Sequence, residues 1–295
     1  MPRASEIAKD LNADLIGKDL TINQARSLET ACAGSVVFLG KRLPEAIARL
    51  NGFEDILCVT TAELAQDLRC PVVIHPSPRY AFCLVLQQFF APELKPGIHE
   101  AAYVAPDAVI GENVHIGPGC VIGRGVKIGS GTQMHSNVVV ADGVVIGRDC
   151  IIKSNSTIGE EGFGFARDEN GRPVHFPHIG GVSIGDRVVI GANCTVVRAA
   201  LDTTVIEDDV KTDDHVHIAH NCHVGPRTLI AAGAVLSGNV TVGPEAWISP
   251  NCTIIDYGTV GEKAFVGLGA VVIRPVPSGE TVIGNPARII PKMKG

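Results

Sequence analysis

Aliphatic side chains recur at every sixth residue through the C-terminal two thirds of this chain. Val104, Ile110, Ile116, Ile122, Ile128, Met134, Val140, Ile146, Ile152 and Ile158 run without a slip. The phase restarts at Ile184, Ile190 and Val196, slips by four residues, and continues from Ile206 to Val272 with Thr212 as its one non-aliphatic member. Since only 45% of all residues are hydrophobic, chance does not produce such a run. The residue four places after each aliphatic is small or β-branched (Ala108, Val114, Cys120, Val126, Thr132, Val138, Val144), so it also points inward. Between the two inward positions stands Asn113, Gly119, Gly125, Gly131, Asn137 or Gly143, residues that tolerate φ > 0 at a tight corner. A strand that turns every six residues buries no face alone, but stacked coils of three hexads make a triangular prism. The usual handedness of parallel crossovers would make that prism right-handed.

Composition fits a thin, regular core, because aromatics are only 4% of the chain while Gly numbers 33. Five of the nine cysteines (Cys120, Cys150, Cys194, Cys222, Cys252) fall in the small inward slot and read as core hydrophobes without chemistry. A net charge of -6 argues against general nucleic-acid binding, which needs a basic face. The start MPRASEIAKD lacks the apolar core of a signal peptide, and no apolar run reaches membrane-span length. A cytoplasmic protein without structural disulfides is therefore expected.

Residues 1–95 carry no hexads and read as a small α/β domain. Its expected helices are 4–12, 61–68 and 79–90, and its expected strands 35–39, 55–60 and 71–75. The prism should occupy 96–285, interrupted by GFARDENGRPVHFPHIGG (164–181), which is too long for a corner and must project as a loop. A short basic tail, 286–295, with Arg288, Lys292 and Lys294, ends the sequence.

The segments GEEGFGF, HFPHIG, IGDRVVIGANCTVVRAALDTT and HIAHN resemble the UDP-3-O-acylglucosamine N-acyltransferases of lipid A biosynthesis, a family of hexapeptide-repeat acyltransferases. The resemblance runs over both domains, residues 4 to 275, and implies a mainly β fold, a left-handed parallel β-helix preceded by a small α/β domain. It implies that His220 takes a proton from a sugar amine attacking an acyl thioester, and that the Gly238 amide faces the oxyanion. It also implies substrate-binding roles for Asp213, Asn221, Phe38, Tyr80, Tyr257 and Val271, the last at the position that limits acyl-chain length. The thioester donor is acyl carrier protein phosphopantetheine or coenzyme A. The resemblance implies no tightly bound cofactor or metal, and a homotrimer. Elementary chemistry agrees on the groups needed: the attacking amine becomes cationic and the thioester oxygen anionic, so a base near neutrality and a preorganised N–H donor serve the step. Gly238 follows His220 by one three-hexad coil, which stacks the two on one face.

Several positions depart from the family pattern. Lys41 and Pro44 replace an Asn and a Tyr after Phe38, His75 replaces the Asn before Pro76, and Tyr257 stands where the family has a second histidine. The ending Gly284-Asn285-Pro286-Ala287-Arg288 resembles that of sugar acetyltransferases using coenzyme A. Two other readings share the prism. One is a zinc enzyme of the γ-carbonic anhydrase type with His178, His215 and His220 as ligands across a subunit boundary. The other is a non-catalytic scaffold.

Overall fold

The chain divides into two units, Met1–Glu93 and Leu94–Gly295, and the computed structural model describes residues 1–92 and 94–290. In the first unit, strands Leu15–Ile16 (β1), Gln24–Ala25 (β2), Ser35–Leu39 (β3), Leu57–Thr60 (β4) and Val72–Ile74 (β5) form one sheet in the order β1-β5-β4-β3-β2. Only β1 runs antiparallel to its neighbour. Helices Ala4–Asp10 (α1), Pro44–Leu50 (α2), Ala62–Ala65 (α3) and Pro78–Phe89 (α4) cover both faces. Alternation along β3 and β4 sorts the core in two. Val36, Leu57 and Val59 pack with Ile7 of α1 and Phe82 and Val85 of α4. Val37, Leu39 and Cys58 pack with Leu50 of α2 and Leu64 of α3. The sequence reading finds β3 to the residue and places α1, β4, α3, β5 and α4, but omits α2, β1 and β2.

The second unit is a three-sided parallel β-helix. Each coil places one two-residue strand on each of three faces, which begin at Gly97–Ile98 (first face), Tyr103–Val104 (second) and Val109–Ile110 (third). Neighbours on a face are one coil apart: Val121 lies between Tyr103 and Val139, and His217 between Thr195 and Val235. The hexad residues line the interior, with Ile116, Ile122, Met134, Ile152, Ile158, Leu236 and Ile254 wholly buried. Thr212 is buried too, and its hydroxyl accepts the Gly191 N–H at 3.0 Å, so the polar exception is satisfied. Corner residues Asn113, Asn137, Asn155, Asn193 and Asn221 have φ between 54° and 62°.

The small inward slot proves to be a hydrogen-bonding position. Thiols of Cys120, Cys150, Cys194, Cys222 and Cys252 donate to carbonyls of His135, Gly185, Asp213, Ser237 and Gly267 at 2.9 to 3.2 Å. Thr132, Ser156 and Thr228 use hydroxyls for the same corner bond, to Gly147, Gly191 and Gly243. Burial pushes the Cys222 thiol up to about 12.

Two segments differ from expectation. The projecting loop folds on itself as a hairpin, Phe165–Arg167 against Pro173–His175, and Gly181 already belongs to a third-face strand, Gly181–Ile184. The expected basic tail is not a separate element through residue 290: Arg288–Ile290 returns antiparallel to Thr281–Ile283 and so extends the first face. Lys292 and Lys294 lie outside the described residues.

Candidate active site

The three-hexad rhythm breaks three times, each time on the edge joining the second face to the third; the last break, a two-residue contraction between Val272 and Val276, closes the column, and the first two precede His220. The loop leaves after Thr157–Ile158 and returns at Gly181–Ile184; the four-residue slip lies between Thr195–Val196 and Thr203–Ile206. His220 occupies the next rung of that same edge, between His217–Ile218 and His223–Val224. A regular solenoid has no concavity, so two consecutive irregular corners are what give this edge a built site. The slip segment is tied down by Arg198, whose guanidinium donates to the carbonyls of Gly159 and Asp142, and by Asn221, whose Oδ1 accepts the Ala200 N–H at 2.8 Å. Asn221 thus spends its side-chain oxygen on the backbone above it.

His220 is half-buried and Gly238 lies one rung on, with the Asn239 N–H donating to the His220 carbonyl at 2.9 Å. The contact is close enough to demand glycine. A Cβ on Gly238 would stand 2.5 Å from His220 Cε1, 2.7 Å from Nε2 and 2.8 Å from Asp256 Oδ1. Among the described residues the Gly238 N–H makes no hydrogen bond. Asp256, one rung further, accepts from Asn239 Nδ2 at 3.2 Å. The sequence reading missed Asp256, although its place two coils beyond His220 would have revealed it. Tyr257 follows at the corner, φ 58°, with its N–H on the Gly238 carbonyl and its side chain 73% exposed.

From the loop side, His178 packs against His220, ring centroids 5.2 Å apart at 64°. Only 3% of His178 is exposed, and its Nδ1 lies 3.1 Å from the Phe176 carbonyl. Glu161 receives the His178 backbone N–H and pairs with His175 at 3.0 Å, which fixes the returning strand of the loop. On the second face His217 bonds the Thr195 hydroxyl through Nδ1 at 2.6 Å, and burial, then the neighbouring His220, hold its pKa below the usual imidazole value. Val271 lies on that face too, three rungs past His217 through Val235 and Thr253.

The remaining expected residues lie elsewhere. Asp213 follows Lys211–Thr212 and sits exposed on the edge between the first and second faces, as does His215 at its corner, φ 59°. Neither reaches the His220 edge within one chain. Among the described residues no three metal-ligating side chains converge. In the first unit, Phe38 packs on Phe82 at 5.1 Å and lines a cleft of about 820 Å³ with Arg26, Lys41, Arg79 and Cys83. Tyr80 is exposed outside that lining, 6.2 Å from the His75 ring, and Pro44 lines an adjoining hollow of about 490 Å³. No helix among the described residues is long and apolar enough to cross a membrane.

With this geometry in hand, comparison with known proteins gives two family-model matches: Bacterial transferase hexapeptide (six repeats) over 203–238, and GMPPB C-terminal domain over 95–162. Among solved structures the chain is similar to LpxA from Acinetobacter baumannii (28% identity, 67% of this chain and 74% of that one, TM-score 0.59). It is also similar to the UDP-N-acetylglucosamine acyltransferase of Francisella novicida (29% identity, 63% and 66%, TM-score 0.58). Among curated proteins, the UDP-3-O-acylglucosamine N-acyltransferase of Chlorobium chlorochromatii matches at 52% identity over 91 residues, a quarter (25%) of that protein's length. Those of Delftia acidovorans (43% over 79% of this chain and 71% of that protein) and Legionella pneumophila (42% over 97% and 89%) match far more broadly. Identity sustained through both units, and not through the repeats alone, shows that this chain belongs to the UDP-3-O-acylglucosamine N-acyltransferase family.

Proposed function

We propose that this chain transfers an acyl group from a phosphopantetheine thioester to the amine of a UDP-linked acylglucosamine, with His220 as general base and the Gly238 N–H as oxyanion donor. The observation that carries the reading is the pairing of an imidazole with an amide that, among the described residues, makes no hydrogen bond, on adjacent rungs of the edge where the repeat is broken. The amine nitrogen attacks the thioester carbonyl, the C–N bond forms, and the oxygen becomes an anion that the Gly238 N–H stabilises. His220 takes the proton from nitrogen. The C–S bond then breaks, and the thiolate leaves with that proton from His220. No bound cofactor is required for any step.

Other residues find places in the same scheme. Phe38 offers a face for a base, and Arg26, Lys41 and Arg79 offer charge for the phosphates of a nucleotide in the cleft of the first unit. Lys41 and Pro44 alter how the base is held relative to the family pattern. Val271, on the second face beyond Gly238, bounds the acyl groove. Asp213 joins His220 only from a neighbouring copy, which supports a homotrimer with its sites between subunits. Leu229, Trp247 and Phe265, one exposed column on the first face, supply apolar surface for such contacts. The reaction is a cytoplasmic step of lipid A biosynthesis, and the donor is an acyl carrier protein or coenzyme A thioester.

His220→Ala should lower the turnover by at least about 10²-fold, the usual contribution of a general base, while the variant still binds the acyl donor. Assays with acyl carrier protein and coenzyme A thioesters identify the donor. Unchanged turnover in the variant would remove the mechanism.

A further inference from the structure

We propose that His178 is the positioning partner of His220, accepting a hydrogen bond from the His220 Nδ1–H so that Nε2 is held as the basic nitrogen. The inference rests on the reading of His220 as base and adds a residue to it. Its starting point is an unpaired atom: His220 Nδ1 is buried and, among the described residues, has no hydrogen-bond partner. Buried ring nitrogens are rarely left so, because the desolvation is then uncompensated.

The partner is set by the loop. His178 Nδ1 faces the Phe176 carbonyl at 3.1 Å, and a carbonyl only accepts, so Nδ1 carries the proton and Nε2 of the neutral ring is an acceptor. That Nε2 and the Cδ2 edge of His220 flank the same spot in the packed pair: the point where a Cβ of Gly162 would sit is 3.2 Å from His178 Nε2 and 3.3 Å from His220 Cδ2. A half-turn of the His220 ring about Cβ–Cγ exchanges Nδ1 with Cδ2 and Nε2 with Cε1 within one volume. It brings Nδ1 to the edge facing His178 Nε2. The centroid separation of 5.2 Å suits one N–H···N bond between five-membered rings.

The same half-turn leaves the chemistry in place. Nε2 moves to the position of Cε1, the ring atom nearest the Gly238 rung at 2.5 Å from its would-be Cβ. The reacting nitrogen therefore still faces the oxyanion donor, now with its tautomer fixed. The pair follows the logic of a base oriented by a third group, with an imidazole anchored on a backbone carbonyl where a triad has a carboxylate. It also explains the loop motif that the acyl-transfer step leaves unused. A side chain at Gly164 would strike His178 Cε1 at 2.4 Å, one at Gly162 would strike Val197 Cγ1 at 2.9 Å and crowd both rings at 3.2 and 3.3 Å, and Glu161 holds the segment that carries His178. Gly162 and Gly164, two of the three glycines of GEEGFGF, are thus spacers for two imidazoles packed edge to face.

The test is long-range proton–nitrogen correlation NMR on the full chain with labelled histidine, joined to kinetics. The wild-type protein should show His220 protonated at Nδ1 and unprotonated at Nε2, with the reverse tautomer for neither ring. In His178→Phe the tautomers of His220 should mix and kcat fall about ten- to a hundredfold with KM for both substrates unchanged. His178→Gln, whose Oε1 accepts the same hydrogen bond, should retain the Nδ1–H tautomer and most of kcat. His220 protonated at Nε2 in the wild type, or a folded His178→Phe with wild-type kcat, would overturn the pairing. The wild-type spectrum needs no variant to fold. Should His220→Ala prove active, the base assignment fails while the spectrum still reports the pair, so the two failures are distinguishable.

Discussion

Gly238→Ala tests the site geometry most directly. The new methyl group would stand 2.5 Å from His220 Cε1, where ordinary contact begins at 3.4 Å, so the ring must retreat by about 0.9 Å. His178 packs against the retreating ring, and Asp256 Oδ1, 2.8 Å from the same methyl position, keeps the methyl from yielding on its other side. A displacement near 1 Å of a catalytic group costs about 10²-fold in rate, or about 2.7 kcal/mol of transition-state stabilisation. Gly238 is not among the corner residues with positive φ, so alanine strains no backbone and the prism should melt within a few degrees of wild type. The assay is acyl transfer to the UDP-sugar amine under saturating donor, with a melting curve on the same sample. Gly125→Ala supplies the opposite control: its φ is +64° in open space, so it should lose about 1 kcal/mol of stability and no activity. A folded Gly238→Ala enzyme with kcat within threefold of wild type would refute the argument that these two rungs meet at the reacting carbonyl.

Thr212→Val strands the buried Gly191 N–H and should destabilise the chain by about 1–3 kcal/mol with unchanged kcat; denaturant titration measures it, and an unaltered midpoint would contradict the assignment. Thiol reagents at pH 8 should modify exposed Cys83 quickly and the five inward prism cysteines only on unfolding, since burial raises all five thiols and Cys222 reaches about 12. Stability should fall in two stages on acidification. Burial depresses His135 and His217, so the unfolded chain takes their protons first and stability is lost as pH falls below about 6.5. Hydrogen bonds from Arg148 to Asp186 and from Arg187 to Asp209 depress those carboxyls, so their contribution is present above about 3.8 and is lost below it. Melting temperatures that rise between pH 7 and 5.5 would contradict the first stage.

The prism was legible because its signal is redundant: each inward residue repeats the same statement, and Thr212, the one exception, proved compatible once its hydroxyl had a donor to accept. The first unit was read less completely. Strands of two residues such as Leu15–Ile16 and Gln24–Ala25 carry too little pattern, and Pro44–Leu50 buries only one residue fully. His220 and Gly238 were legible from a motif and a coil count. Of their neighbours, Asp256 was open to the same coil count and went unread, whereas His178, named only as a zinc ligand, arrives through a loop with no period. The polar use of the cysteine slot was hidden as well, because small core residues and corner hydrogen-bond donors share the same residue types.

Strand pairing one coil apart turns the column His217, Val235, Thr253, Val271 into a graduated scale, with marks about 4.8 Å apart. On the proposed reading, an acyl chain lying along it from the reacting carbonyl would be measured against whole coils. Excising residues 241–258 would rejoin the hexads in phase and draw Val271 one mark nearer to Gly238. Under that reading, length preference would change in two ways: in fixed steps when coils are gained or lost, and in finer ones when a single outward side chain swells or shrinks at its mark.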